Sequence, residues 1–281
     1  MSRPAAKRPP ASRPMRKPVS STPPWLAPVA VVAAVALLVA AFLLYRWYTT
    51  PLPLPPLNVD ATQQIITSIT GLPASELDAV GTGSANNLIK RVTGAALTGP
   101  NGHPEVFYVG AEYCPYCAAE RWPMIIALSR FGAFSGLKTT SSSSSDIYPN
   151  TPTFTFYGAT YASQYVDFVS VETLDRNQNP LQSPTSAQQA LLNQYDAAGS
   201  IPFVDFGNRY AFSGAMYLPD VLSAMSWKAV ADSLAQPASP QAKAILGSAN
   251  LITAAVCKLT ADQPATVCSS STIQSIEKTL G

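Results

Sequence analysis

At 281 residues the chain is long enough for about two domains, yet only 12% of it is charged, about half the usual ~25%, and its 26 prolines are nearly twice the usual share. That excludes a chain kept disordered by excess charge. The net charge of +2 conceals a split, because residues 1–46 carry seven Lys and Arg and no acid, which leaves eleven bases against sixteen acids, net −5, in residues 47–281 and argues against a nucleic-acid partner.

From Trp25 to Tyr45 run 21 residues without a charge (WLAPVAVVAAVALLVAAFLLY), interrupted only by Pro28 near the start. As a helix rising 1.5 Å per residue the run is about 31 Å long, matching a hydrocarbon core of about 30 Å. A cleavable signal peptide is the alternative, but its apolar region usually spans roughly 7 to 15 residues and ends at small side chains. This run ends instead in Leu43, Leu44, Tyr45, Arg46 and Trp47. Residues 25–45 are therefore read as an uncleaved single-pass transmembrane helix, with membrane lipid as its partner. Arg3, Lys7, Arg8, Arg13, Arg16 and Lys17 precede it, against Arg46 alone before Lys90, so residues 1–24 are expected to stay in the cytoplasm as a basic tail. The tail would also attract anionic lipid or nucleic acid, but a solvated topology signal accounts for it. Trp25, Tyr45, Trp47 and Tyr48 belong at the two membrane interfaces.

Residues 46–58 form a stiff spacer, since Pro51, Pro53, Pro55 and Pro56 each fix φ and remove an amide donor. At ~3.1 Å per residue, residues 49–57 span roughly 25 to 30 Å. Residues 59–281 then form one extracytoplasmic domain. It opens with a helix that Asp60 and Gln63 cap before Ile65, Ile66 and Ile69, and a second short helix is expected within 84–92. After the turn Gly99-Pro100-Asn101-Gly102, the run Val106–Val109 reads as a buried strand. Ala118–Phe131 continues as a helix. Ser141–Ser145 reads as a flexible loop with nothing apolar to bury, and Thr153–Tyr157 and Tyr165–Val171 read as strands.

Between that buried strand and the helix lies Gly-Ala-Glu-Tyr-Cys-Pro-Tyr-Cys, residues 110–117. Alone, C-x-x-C serves zinc, haem or redox chemistry equally. In a strand–turn–helix context Cys114 falls at the helix N-terminus, where unpaired amides and the dipole favour thiolate over thiol. Pro115 suits the first helical position, and Cys117, one turn in, can resolve a mixed disulfide formed at Cys114. Zinc needs about four ligands, and the chain offers one His and a distant pair, Cys257 and Cys268. Haem attachment needs His after the second Cys, where Ala118 stands. An inert disulfide at 114–117 would restrict the unfolded chain little and be strained. No metal or cofactor is called for.

Further on, Gly199-Ser200-Ile201-Pro202 leads into Phe203-Val204-Asp205-Phe206, a turn at Gly207-Asn208 and a returning strand Arg209–Phe212. With the C-x-x-C this resembles the thioredoxin superfamily. The resemblance implies a cis Ile201-Pro202 bond facing the cysteines, beside which the backbone of a substrate pairs. An X-Pro bond taken alone is usually trans.

The match narrows at Glu112-Tyr113-Cys-Pro-Tyr-Cys-Ala118-Ala119-Glu120-Arg121-Trp122, Thr151-Pro152-Thr153-Phe154, Ile201-Pro202-Phe203 and the late Cys257 and Cys268. These closely resemble a membrane-anchored, thioredoxin-like family catalogued as domain of unknown function 929, over nearly all of residues 60–280. The resemblance implies an α/β thioredoxin-like fold with insertions and extra C-terminal helices, and no substrate. Three features depart from plain thioredoxin: Pro-Tyr between the cysteines, Pro123 six residues after the second Cys, and a segment up to Pro202 about twice as long.

On this reading Cys114 and Cys117 carry the chemistry, and Tyr113, Pro115, Tyr116, Ile201 and Pro202 contact substrate. Glu112 and Glu120 are candidate proton acceptors for the resolving thiol, with surface solvation as the plain alternative for each. Arg121 is expected to pair with one of them, and Tyr113 and Trp122 to form an apolar rim. His103 is expected to be exposed and idle. Since the C-x-x-C is its own pair, Cys257 and Cys268 are left to form a structural disulfide joining helices at 243–258 and 272–280. The function expected is thiol-disulfide exchange on exported proteins, as oxidase or isomerase, with a membrane redox partner resetting the cysteines. A reductive relay and a redox-sensing scaffold are the alternatives.

Overall fold

The structure, a computed structural model, describes residues 23, 25–50, 52 and 54–280. The basic residues of the tail, and Pro51 and Pro53 of the spacer, lie outside the described residues. The chain divides into two units, residues 1–50 and 51–281.

In the first unit, α1 (Leu26–Thr49) is a 24-residue helix with no buried side chain, long and apolar enough to cross a membrane. At 1.5 Å per residue it is about 36 Å long. It runs four residues past Tyr45, because Arg46–Thr49 include no breaker, and Thr50, the residue before a proline, turns extended.

The second unit opens on α2 (Val59–Thr70), whose cap is Asn58 rather than the expected Asp60 and Gln63: Asn58 Oδ1 accepts from Ala61 N at 2.8 Å. Asp60 lies in the first turn instead, where a carboxylate meets the positive end of the dipole. Residues 84–92 form no helix. The second helix comes earlier, as α3 (Ala74–Val80), and Gly81 and Gly83, both at positive φ, turn the chain toward a short edge strand, β1 (Lys90–Arg91). Asn87 supports that turn locally, its Oδ1 accepting from Ile89 N at 3.1 Å.

The central sheet adds β2 (Glu105–Gly110), β7 (Asp167–Glu172), β8 (Phe203–Phe206) and β9 (Tyr210–Ser213), in the order β1-β9-β8-β2-β7. β2 runs parallel to β7 and antiparallel to β8, with Val109 opposite both Val171 and Phe203. Gly207 and Asn208 close the β8–β9 hairpin at φ 64° and 56°, the backbone such two-residue turns demand. Because side chains alternate along a strand, β2 divides two apolar layers. Val106 and Tyr108 join Val204, Phe206 and Phe212 in the main core. Phe107 and Val109 join Val171, Phe203 and Ala211 on the other face, where Leu191 and Leu192 of α5 (Ser186–Tyr195) pack over them.

The main core is filled by α4 (Pro115–Leu128), α6 (Trp227–Leu234) and α7 (Pro240–Leu259), with α8 (Ala265–Cys268) and α9 (Ser271–Glu277) behind. α7 packs on α3, α4, α6 and α9. It too is long and apolar enough to span a membrane, but nearly all of it from Ala242 to Cys257 is buried, which makes it the core helix of this unit. A disulfide joins Cys257 near its end to Cys268 of α8, with Cα atoms 5.6 Å apart. Between α4 and β7 the chain builds two small antiparallel sheets, β3 (Gly132–Ser135) with β6 (Thr160–Ser163) and β4 (Lys138–Ser141) with β5 (Pro152–Thr155). The described residues thus form a mixed α/β unit with a five-stranded sheet, and a separate N-terminal apolar helix.

Candidate functional site

β2 ends at Gly110, and the next four residues turn the chain into α4. Gly110 is required by its neighbour: a Cβ there would lie 2.2 Å from Tyr108 Oη. Cys114 takes the capping position of α4, with extended backbone, and its Sγ accepts from Cys117 N at 3.4 Å. Pro115 occupies the first helical position, where its missing N–H is no loss.

Both thiols are unbonded to any other cysteine and buried, but unequally, Cys114 being 6% exposed and Cys117 0%. The Cys117 thiol's hydrogen bond and amide, with Arg121 nearby, hold the Cys114 thiol below its usual range although partial burial opposes them. Burial, reinforced by the hydrogen bond to Cys114, pushes Cys117 well above. One sulfur is therefore biased to thiolate and the other to thiol, the asymmetry that a nucleophile and a resolving partner require.

The loop before β8 supplies the facing wall. Ile201-Pro202 is cis, and the Cys114 thiol donates to the Ile201 carbonyl at 3.7 Å. Pro202 O accepts from Gly214 N at 2.7 Å, which ties this loop to the end of β9. Tyr113 and Tyr116 are half-buried beside the cysteines. Cys114, Cys117, Tyr113, Pro115, Tyr116 and Ile201-Pro202 are thus brought together.

The carboxylates are arranged otherwise. Glu120 is fully buried rather than solvated. Its Oε2 accepts from Met216 N at 3.0 Å, in the segment after β9, and burial pushes it up to about 8. Its Oε1 finds no hydrogen-bond partner among the described residues. Glu112 is buried too, its backbone N–H donating to Leu174 O at 2.9 Å.

Arg121 pairs with neither. It makes a two-pronged, fully buried bond with Glu172, Nε to Oε1 at 2.8 Å and Nη2 to Oε2 at 2.7 Å, and its guanidinium lies 6.0 Å from the centre of the Tyr108 ring. Arg121 falls one helical turn after Cys117, and Glu172 stands opposite Gly110 in the β2–β7 register. A charged pair therefore underlies the cysteines. Glu172 lies 51 positions away in sequence, so only the fold could reveal it.

Trp122 forms no rim. It is fully buried, its indole N–H donating to Pro152 O at 2.9 Å and its ring edge-on to Phe154, because that side of α4 faces β5. His103 is half-buried, with Nδ1 3.5 Å from Asp167 Oδ1, so it packs against a carboxylate instead of standing clear in solvent.

The serine run was the least informative segment as sequence and is a wall of the site as structure. Ser141, Ser142 and Ser143 are buried. Ser143 N donates to Tyr113 O at 2.9 Å, and Tyr148 lies edge-on to Tyr116 with ring centres 5.9 Å apart. Its order comes from hydrogen bonds: Thr151 N donates to Ser142 Oγ at 2.9 Å, and Arg176 Nη2 donates to Ser142 O at 3.1 Å and Asn150 Oδ1 at 2.9 Å. Hydroxyls and amides hold this loop in place of apolar burial, which hydropathy patterns do not register.

Among the described residues no cluster of three or more His, Cys, Asp or Glu could hold a metal ion. No curated protein and no solved structure matches the chain. A family model matches residues 91–258, more than half of the chain, and its description is Domain of unknown function (DUF929).

Proposed function

We propose, for a chain that belongs to the DUF929 family, a membrane-anchored thiol-disulfide oxidoreductase with a thioredoxin-like domain, acting outside the cytoplasm on exported proteins. One observation carries the reading: Cys114 caps α4 with the Cys117 amide on its sulfur, beside the Ile201 carbonyl that precedes β8. The fold supports it, since β2 and β7 form a parallel pair whose crossover begins with the C-x-x-C at a strand–helix turn. The Cys257–Cys268 bond supports the compartment, because disulfides persist where the surroundings are oxidising.

In the oxidising direction a substrate thiolate attacks Cys114 Sγ of the closed 114–117 disulfide, forming a mixed disulfide and expelling the Cys117 thiolate. A second substrate thiolate then attacks the substrate sulfur of that bond and expels Cys114, which leaves by the capped position that favours thiolate. Two electrons pass to the domain, and a membrane partner whose own disulfide accepts them, becoming a dithiol, resets the pair. Isomerisation begins instead from the reduced form, with Cys114 attacking a substrate disulfide and a different substrate thiol displacing it.

Cys117→Ala should leave Cys114 bonded to exported proteins as mixed disulfides resolved by non-reducing electrophoresis, and Cys114→Ala should abolish both the adducts and turnover. A Cys117→Ala chain that forms no adduct in the cell envelope, with a wild-type chain that exchanges no protein disulfide, would replace this reading with that of a redox-sensing scaffold.

A further inference from the structure

The loop from Ser142 to Thr151 does more than wall the cysteines. Its base is fixed on two sides, by Ser143 N on Tyr113 O at 2.9 Å and by Ser142 Oγ and Thr151 Oγ1, which both donate to Tyr148 O at 3.0 Å. Its tip, Ser144 to Ile147, projects outward. Asp146 Oδ1 accepts from Ile147 N at 2.6 Å and sets the tip backbone. The side chain that this rigid loop holds out is aliphatic: Ile147 is 72% exposed. Next to it in sequence is Tyr148, whose ring meets Tyr116, one of the two residues between the cysteines.

We propose that Ile147 and Tyr148, with Tyr113 and Tyr116, form a lip that selects extended polypeptides carrying an aliphatic or aromatic side chain next to their reacting cysteine. The inference rests on the oxidoreductase reading and names its substrate class. The occupant follows from the chemistry, because any chain bonded to Cys114 Sγ must leave the site past the residues around it, which opposite the Ile201-Pro202 wall are half-buried Tyr113 and Tyr116, with Tyr148 against Tyr116 and exposed Ile147 next to Tyr148 in sequence. Tyrosine rings give large contact area with few rotatable bonds to immobilise. Covering an exposed aliphatic side chain with a substrate side chain removes apolar area from water on both partners. Unfolded exported chains expose such neighbours of cysteine, whereas folded ones have buried them.

The test uses the reduced full-length chain in detergent micelles and two short peptides whose single cysteine carries a nitrothiobenzoate leaving group, flanked by Leu in one and by Ser in the other. Attack by Cys114 on the peptide sulfur releases the coloured thiol. The readout is the ratio of the two second-order rates, expected to favour the Leu peptide by about tenfold. Ile147→Ser should bring the ratio to within about twofold of unity, while Val59→Ser, which removes an even more exposed apolar side chain on α2, should leave it unchanged. A wild-type chain that exchanges with oxidised glutathione but treats the two peptides alike, or a preference that survives Ile147→Ser, would overturn the lip alone. A wild-type chain that reacts with neither peptide nor glutathione would overturn the oxidoreductase reading and the lip with it.

Discussion

α4 and α7 pack against each other and each carries a cysteine, at opposite ends. Cys114 caps the N-terminus of α4, where unpaired amides and the dipole favour a thiolate, and its neighbour Cys117 is one turn away in the same helix. Cys257 lies in the last turn of α7, the negative end, and reaches a cysteine in another helix. The same atom therefore meets opposite fields. The floors differ as well: Arg121 and Glu172 are buried near the first pair, while Ala254, Ala255, Val256, Ile273 and Ile276 crowd the second region of the core. Position on a helix and the polarity beneath it distinguish the pair of free thiols from the pair closed as a disulfide.

The largest expected effect comes from removing the charged floor. Arg121→Met leaves Glu172 buried without its counter-charge, which should destabilise the domain by about 3–5 kcal/mol. Adding Glu172→Met removes the orphan and should restore most of that loss. Denaturant unfolding followed by tryptophan fluorescence reads it directly, since Trp122 and Trp227 are both fully buried. A loss under about 1 kcal/mol for the single variant would mean that water reaches the pair and that the two floors are not so different.

Opening the other pair should cost slightly less and change different chemistry. Cys257→Ala with Cys268→Ala releases a loop with a sequence separation of 11, for which closure is expected to contribute about 3 kcal/mol. In a unit of this size that lowers Tm by roughly 6 to 12 °C. Alkylation of Cys114 should stay within about twofold of wild type, because nothing at the head of α4 depends on the bond. A large fall in Cys114 reactivity would show that the two pairs are coupled through the α4–α7 contact.

Burial supplies a third difference, and it depends on pH. Glu120 is held at about 8 against an ordinary 4.5. Between those values the folded domain keeps a proton that the unfolded chain has released, so this contribution is complete below about 4.5 and is lost as pH rises through about 8. From pH 7 to 8.5 the wild type should lose about 1 kcal/mol more than Glu120→Gln, which keeps an oxygen for Met216 N and has no proton to release. Parallel stability curves for the two chains over that range would place the Glu120 carboxyl in contact with water.

How much of this could be read from sequence followed the range of the interactions. The strand at Val106–Val109, the helix after Cys117, the β8–β9 hairpin and the apolar run at 25–45 are local patterns of hydropathy and turn residues, and each has its counterpart in the structure. The segment 84–92 misled because its pattern was short, while two glycines and Asn87 decided its path. The Arg121–Glu172 bond and the Ser142–Thr151 loop were not legible: the first joins residues that only the β2–β7 register brings together, and the second is held by hydroxyl and amide hydrogen bonds. Glu120 looks like a surface residue because its type almost always is, and its burial depends on a segment that arrives 96 positions later.

The smallest effect concerns why α4, unlike α7, can hold a proline in its interior. Pro123 has no N–H to give Ala119 O, the carbonyl one turn earlier. Tyr217 Oη donates to that oxygen instead, at 2.7 Å. α7 has no proline after its first residue, and its Ser248 and Thr253 hydroxyls only add to carbonyls of its own turns. Tyr217→Phe should therefore cost about 1 kcal/mol, because it strands a buried acceptor. In a Pro123→Ala background the new amide can satisfy Ala119 O, and the same substitution should cost less by roughly 0.5–1 kcal/mol. Equal costs in the two backgrounds would mean that the tyrosine hydroxyl does not stand in for the missing amide, and the break in α4 would then need another support.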